Sequence, residues 1–166
     1  MTDTTLCFLL RQCKGDAKQI LLGLKKLGLG MGKLNGFGGK VKAGESIEEA
    51  AVRELYEETG VMATPRDITK VGEMAFFFPA VPEEEGWNQR MHIFFANEWE
   101  GEPVETDEMR PEWVDINNIP FDRMWADDRH WLPLILINKL VKGSFVFNGD
   151  NESIRHFVLD EVEGFD

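Results

Sequence analysis

Apolar residues along this chain follow two spacings. Thr4–Arg11 and Lys18–Lys26 are dense in aliphatic side chains and flank a Gly15-Asp16 turn, which predicts two adjacent strands. Leu34–Val41 predicts a short strand, and Ile68–Phe78 and Met91–Glu98 two more, divided by the acidic loop Glu83-Glu84-Glu85-Gly86. Phe145–Phe147 and His156–Val162 predict a terminal hairpin around Asn148-Gly149. Elsewhere the spacing is helical. Ile47, Ala50, Ala51 and Leu55 form one apolar stripe. Leu132, Leu136, Lys139 and Leu140, with Ile135 and Val141, form a face that predicts a second helix. Asp127 or Asp128 would cap it, Pro133 would lie in its first turn, and it would run to about Lys142. Propensity alone gives a mixed α and β chain.

The first helix carries the chemistry. Residues 39–61 read GKVKAGESIEEAAVRELYEETGV. Ser46, with Glu49 three positions on, is a capping box that starts the helix, and Gly60 is a natural residue to end it. On a helix, Glu54 and Glu58 lie one above the other with Glu57 on the same side, overlapping the apolar stripe. A solvated acidic face is the alternative, but Glu49, Arg53 and Tyr56 already supply the outward side. Carboxylates this close repel unless a cation or a proton compensates them. A glycine-rich loop leading into such an oxygen-rich cluster suits a hard divalent cation that carries a phosphate. Arg53, one turn before Glu57, is placed to orient it, or else forms a plain surface pair.

Composition narrows the partners. With 166 residues and 43% hydrophobic content, the chain is expected to be one domain with its own core. A net charge of −12 argues against nucleic-acid or anionic-membrane binding. An acidic protein that takes an anionic phosphate needs a cation as mediator, so Mg²⁺, with Mn²⁺ as a substitute, is the expected cofactor. Cys7 and Cys13 are too few for a disulfide framework, which suits a reducing, cytoplasmic setting. Leu6–Leu10 is too short for a signal or membrane segment. Nothing demands more than a monomer.

The 39–61 segment resembles the Nudix box, the signature of hydrolases acting on nucleoside diphosphates linked to another moiety, at each of its fixed positions. Three further segments are similar to the oxidised-purine nucleoside triphosphatases among the MutT homologues. These are Lys33–Val41 (KLNGFGGKV), Glu105–Pro111 (ETDEMRP) and Met124–Asp128 (MWADD). The resemblance runs from about Leu6 to the C-terminus. It implies an α+β fold, the Nudix α/β/α sandwich with a mixed β-sheet, as a single domain over residues 1–166. It also implies hydrolysis of 8-oxo-dGTP, and of 2-hydroxy-dATP or O6-methyl-dGTP, to the monophosphate and pyrophosphate.

Carried over residue by residue, the resemblance assigns Glu54 and Glu58 as metal ligands, with Glu57 a third, the main-chain carbonyl of Gly38 or Gly39 a further oxygen, and Glu108 an added acid. Which glutamate serves as general base stays open. Lys25 and Lys40 are candidates for phosphate contact. Asn35, Asp127 and Asp128 match the positions that hydrogen-bond the purine edge, and Trp125 the stacking platform; the two aspartates could otherwise be a helix N-cap. Adjacent aspartates resist double ionisation, so one can donate while the other accepts. Phe76, Phe78 and Met109 map to the apolar walls.

The chain departs from the pattern in places. Leu34 replaces a tryptophan, Leu29 an aromatic residue, Gln89 stands at an apolar position beside an insertion over roughly Val81–Asn88, and Cys7 is expected where a threonine hydroxyl faces the base. Two other functions share the fold. One is a Nudix hydrolase for ADP-ribose, a dinucleoside polyphosphate or ordinary dNTPs, against which Asn35, Trp125, Asp127 and Asp128 weigh. The other is a silent nucleotide-binding module, against which the intact carboxylates weigh.

Overall fold

The computed structural model describes residues 1–166. Its elements are β1 (Thr2–Gln12), β2 (Lys18–Lys25), β3 (Leu34–Asn35), α1 (Ile47–Thr59), β4 (Ile68–Phe77), β5 (Gln89–Ala96), β6 (Met109–Asp115), α2 (Asp128–Leu136), β7 (Leu140–Phe147) and β8 (Ile154–Val162). The sheet is mixed, in the order β3-β2-β1-β5-β4-β7-β8, with β6 on β2. β1 runs parallel to β5 and β4 parallel to β7, while β4–β5, β7–β8 and β2–β6 are antiparallel.

Period-two alternation builds a core on each face of this sheet. Leu6 and Phe8 of β1, Ile20 and Leu22 of β2, and Ile93 and Phe95 of β5 pack with Trp131, Leu132 and Ile135 of α2. Their neighbours Cys7, Leu9, Leu21, Phe94 and Ala96 pack with Ala51 and Leu55 of α1. The strands read as unbroken apolar runs because both faces are covered. The result is the α+β sandwich with a mixed sheet that the sequence implied. No helix is long and apolar enough to cross a membrane.

Four expectations are corrected. The second helix stops at Leu136, well short of Lys142, because Asn138 turns the chain at φ 68° and residues from Leu140 form β7. Pro133 sits inside that helix, not in its first turn. The strand expected over Leu34–Val41 is regular only at Leu34–Asn35; beyond it, single bridges from Phe37 to Cys7 and from Lys40 to Thr4 continue the pairing through the glycines. The terminal hairpin is longer than expected, since β7 begins at Leu140 and β8 at Ile154. β6 is an element the apolar pattern did not reveal. Pro111 lacks an N–H but lies on an outer strand, opposite Gly23 of β2.

Candidate active site

α1 begins and ends as its caps dictate. The Glu49 amide donates to Ser46 Oγ and the Ser46 amide to Glu49 Oε2, each at 3.1 Å, while Gly60, at φ 78°, donates to the Tyr56 carbonyl. The helix therefore presents Glu54, Glu57 and Glu58 in fixed register. Arg53 organises the cluster. Its Nε and Nη2 donate to the two oxygens of Glu45 at 2.9 and 2.6 Å, and Nη2 also to the Lys40 carbonyl at 3.1 Å. Nη1 donates to Glu54 Oε1 at 2.9 Å and to Glu57 Oε2 at 3.3 Å. The expected link to Glu57 is present, and the tie to Glu45 was missed, although its fixed spacing before the helix was the signal. Hydrogen bonds from Arg53 hold the Glu45 carboxyl down at about 2.

Glu58 is buried, and its Oε1 accepts from the Gly38 amide at 2.7 Å. Burial pushes its carboxyl up to about 8, helped by the charges of Glu54 and Glu108 and opposed by Gly38 and Lys25. Burial also raises Glu54, and Glu57 and Glu108 add to this against the pull of Arg53. Glu108 reaches this group from the loop before β6, which is tied down on both sides. Thr106 Oγ1 donates to the Glu58 carbonyl at 3.1 Å, and Lys26 donates to the Thr106 carbonyl through Nζ and to the Glu108 carbonyl through its amide.

The glycines allow close approach. A Cβ on Gly39 would stand 2.5 Å from Glu54 Oε1, and one on Gly38 would collide with the Thr5 carbonyl. The carboxylates do not converge on a finished three-ligand cage. They are gathered around Arg53 and the glycine turn, under mutual repulsion. An oxygen-only donor set with raised carboxyls fits a hard divalent cation, whose charge would relieve that repulsion.

A cavity of about 310 Å³ opens from Glu58, Gly38, Gly39 and Lys40 towards the other sheet face. Of the side chains expected to bind substrate, Lys25, Asn35, Phe76, Phe78, Met109, Trp125, Asp127 and Asp128 line it. Leu29, Gln89, Met91 and Phe147 also line it, and Phe78 stacks on Phe147 with ring centres 4.6 Å apart. Gln89 brings polarity into this wall by accepting from Thr4 Oγ1 at 2.9 Å.

Cys7 does not line the cavity. It is fully buried on the α1 face, bonded through its backbone to Phe37, and burial pushes its thiol up to about 12. Thr5, one pleat earlier on the same face, lines the cavity instead, as does Thr4. Thr5 Oγ1 is buried without a hydrogen-bond partner.

Asp127 and Asp128 close the far end. Asp127 occupies the N-cap position but makes no capping bond; its Oδ2 accepts from Trp131 Nε1 at 2.8 Å. Asp128 Oδ2 is buried and unpartnered. Burial and the adjacent Asp127 charge raise the Asp128 carboxyl well above the usual range, so it stays protonated when Asp127 is ionised. Burial raises Asp127 as well, though less than Asp128, so Asp128 is the first of the two to hold a proton and act as a donor.

The NUDIX domain model matches residues 2–135. The chain belongs to the Nudix family. Among related Nudix proteins, the oxidized purine nucleoside triphosphate hydrolase of Danio rerio is 52% identical over 145 residues, spanning 87% of this chain and 88% of that one. The mouse (Mus musculus) protein of the same name is 44% identical over 148 residues, 89% and 90% of the two chains. A MutT protein from Bacillus halodurans superposes with a TM-score of 0.79 at 27% identity, covering 96% of this Nudix chain and 98% of the other.

Proposed function

We propose that this Nudix protein hydrolyses oxidised purine nucleoside triphosphates, 8-oxo-dGTP foremost, to the nucleoside monophosphate and pyrophosphate. The observation that carries the reading is one cavity whose two ends differ in chemistry: Asp128, its Oδ2 buried and unpartnered, beside Asp127 at one, and the Glu58 end of α1 at the other. The names of the zebrafish and mouse relatives support the same substrate class.

At the apolar end, Trp125, Phe76, Phe78 and Met109 form a slot for a flat ring, and Asn35, Asp127 and Asp128 meet its edge. Oxidation of a purine carbon converts part of its edge to a neighbouring C=O and N–H. A neutral carboxyl beside an ionised one complements such a pair. Lys25 and Lys40 line the cavity nearer the glycines, where they would meet the phosphates. Glu54 and Glu58, with Glu57, Glu108 and the Gly38 or Gly39 carbonyl, would hold a divalent cation, Mg²⁺ by preference of its oxygen donors. When bound, that ion supplies charge neutralisation and alignment for phosphoryl transfer.

Arg53 keeps Glu54 and Glu57 facing the site and Glu45 against the loop. A glutamate of the cluster left free of the cation accepts the proton of the attacking water. The water oxygen bonds to phosphorus, the anhydride between the α and β phosphates breaks, and the electron pair leaves with the displaced phosphate.

The test is kcat/KM for 8-oxo-dGTP against dGTP, with Mg²⁺ and with EDTA, on wild type and an Asn35→Ala variant. A wild-type preference of about tenfold or more, equivalent to about 1.4 kcal/mol, that is Mg²⁺-dependent and falls in the variant is expected. Equal rates on both nucleotides would remove the base-recognition assignment, and no cleavage of either would remove the proposal.

A further inference from the structure

Trp125 is held from three directions. The backbone of Gly30 lies against its indole edge so closely that a Cβ there would be 3.1 Å from Nε1. Phe147 meets it edge-on with centres 6.1 Å apart. The Lys33 ammonium sits over the ring, 5.1 Å from its centre. Lys33 is also paired with Glu152 at 2.9 Å. Glu152 belongs to the turn joining β7 to β8, and that turn is itself braced: Asp150 Oδ1 accepts from the amides of Glu152 and Ser153, both at 2.9 Å. The segment before β3 and the β7–β8 turn, distant in sequence, are therefore joined across the outer side of the indole.

We propose that Lys33 is a positioning residue for nucleobase recognition, bridging Glu152 and the face of Trp125 so that the indole plane stays set for a purine. An isolated exposed ion pair contributes little, and this one would be no exception without its second contact. The cation over the ring changes that, because it couples the ion pair to the orientation of a cavity wall. The same charge reaches Asp128 and opposes the upward push from burial and from Asp127. One side chain thereby ties the stacking wall to the hydrogen-bonding end. The inference rests on the cavity being the base site.

Steady-state kinetics of the full chain with 8-oxo-dGTP and Mg²⁺ test it, using Lys33→Met, Lys33→Arg, Glu152→Gln, Trp125→Ala and the Lys33→Met/Trp125→Ala pair. Lys33→Met is expected to raise KM about fivefold with kcat within about twofold of wild type. Lys33→Arg, which keeps both contacts, is expected to stay near wild type, and Glu152→Gln to raise KM about twofold. In the Trp125→Ala background, which itself has a raised KM, loss of Lys33 should have no further effect. If Trp125→Ala raises KM but Lys33→Met does not, or if Lys33→Met acts undiminished in that background, the role of Lys33 is overturned and the base site stands. If Trp125→Ala leaves KM unchanged, the base site falls and the inference with it.

Discussion

Substituting glutamine for Glu58 should move stability and activity in opposite directions. The glutamate is buried, with a carboxyl that titrates near 4.5 in the unfolded chain and about 8 in the folded one. Because the folded value is the higher, folding takes up a proton between those limits. The favourable contribution is complete below the unfolded value and is lost as pH rises through the folded one. At pH 7 the loss amounts to about 3 kcal/mol in the metal-free protein. Glutamine removes this dependence and keeps an oxygen to accept from the Gly38 amide, now found at 2.7 Å. Its extra buried N–H costs about 1 kcal/mol, which leaves a net gain of about 2 kcal/mol. For a chain of this size that is roughly 4–8 °C in Tm. Thermal melts in EDTA at pH 7.5 should show the gain, and melts at pH 5 should show almost none. With Mg²⁺, wild type should be stabilised and Glu58→Gln much less, while its turnover falls by about 100-fold or more. A variant melting at or below wild type in EDTA at pH 7.5 would refute the assignment of Glu58 as a carboxyl held in a repulsive cluster for a cation.

Further outcomes follow from the same geometry. Gly39→Ala places a Cβ 2.5 Å from Glu54 Oε1, so kcat/KM should fall about 10- to 100-fold while circular dichroism stays native. Arg53→Lys cannot fork between Glu45 and Glu54, and kcat should drop about tenfold or more with KM changed little. Asp128 has a raised folded value, so its contribution to stability is present at low pH and lost as pH rises. Asp128→Asn should therefore melt above wild type at pH 8 and level with it at pH 4, while the preference for 8-oxo-dGTP over dGTP declines.

What was legible in the sequence was what local rules determine. Ser46, Glu49 and Gly60 defined α1 to within a residue, and the spacing of Glu54, Glu57 and Glu58 placed them together because a helix leaves no other arrangement. The outer segments, read by resemblance, supplied a recognition wall that local spacing could not, since Asn35, Phe76 and Asp127 meet only through the sheet. Errors arose where tertiary pairing overrode pattern. Lys139, Leu140 and Val141 continue the helical stripe of α2, yet β4 captures this segment as a parallel strand through the pair Gly72–Val141. β6 contains Pro111, which discourages a strand assignment until its position on β2 is known. Cys7 and Thr5 share a face of β1, and only the folded chain shows that the cavity reaches Thr5 and not Cys7. Unpartnered atoms such as Thr5 Oγ1 and Asp128 Oδ2 have no signature in a sequence.

The two ends of the cavity are built by different parts of the chain. α1, with Glu108 from the loop before β6, furnishes the carboxylates, whereas β4, β5, β7 and the start of α2 furnish most of the wall around the ring. The two ends meet along the chain at two short junctions: Asn35 beside Gly38 and Gly39, and Met109 beside Glu108. Selection can therefore act on the two separately. Gln89 in the wall bonds to Thr4 and makes no contact with the groups around Arg53, so a replacement there is expected to shift nucleotide preference and leave those groups in place. A lineage can drift from one damaged base to another, as the chemical lesions in its surroundings change, while the apparatus for breaking the phosphoanhydride is inherited intact.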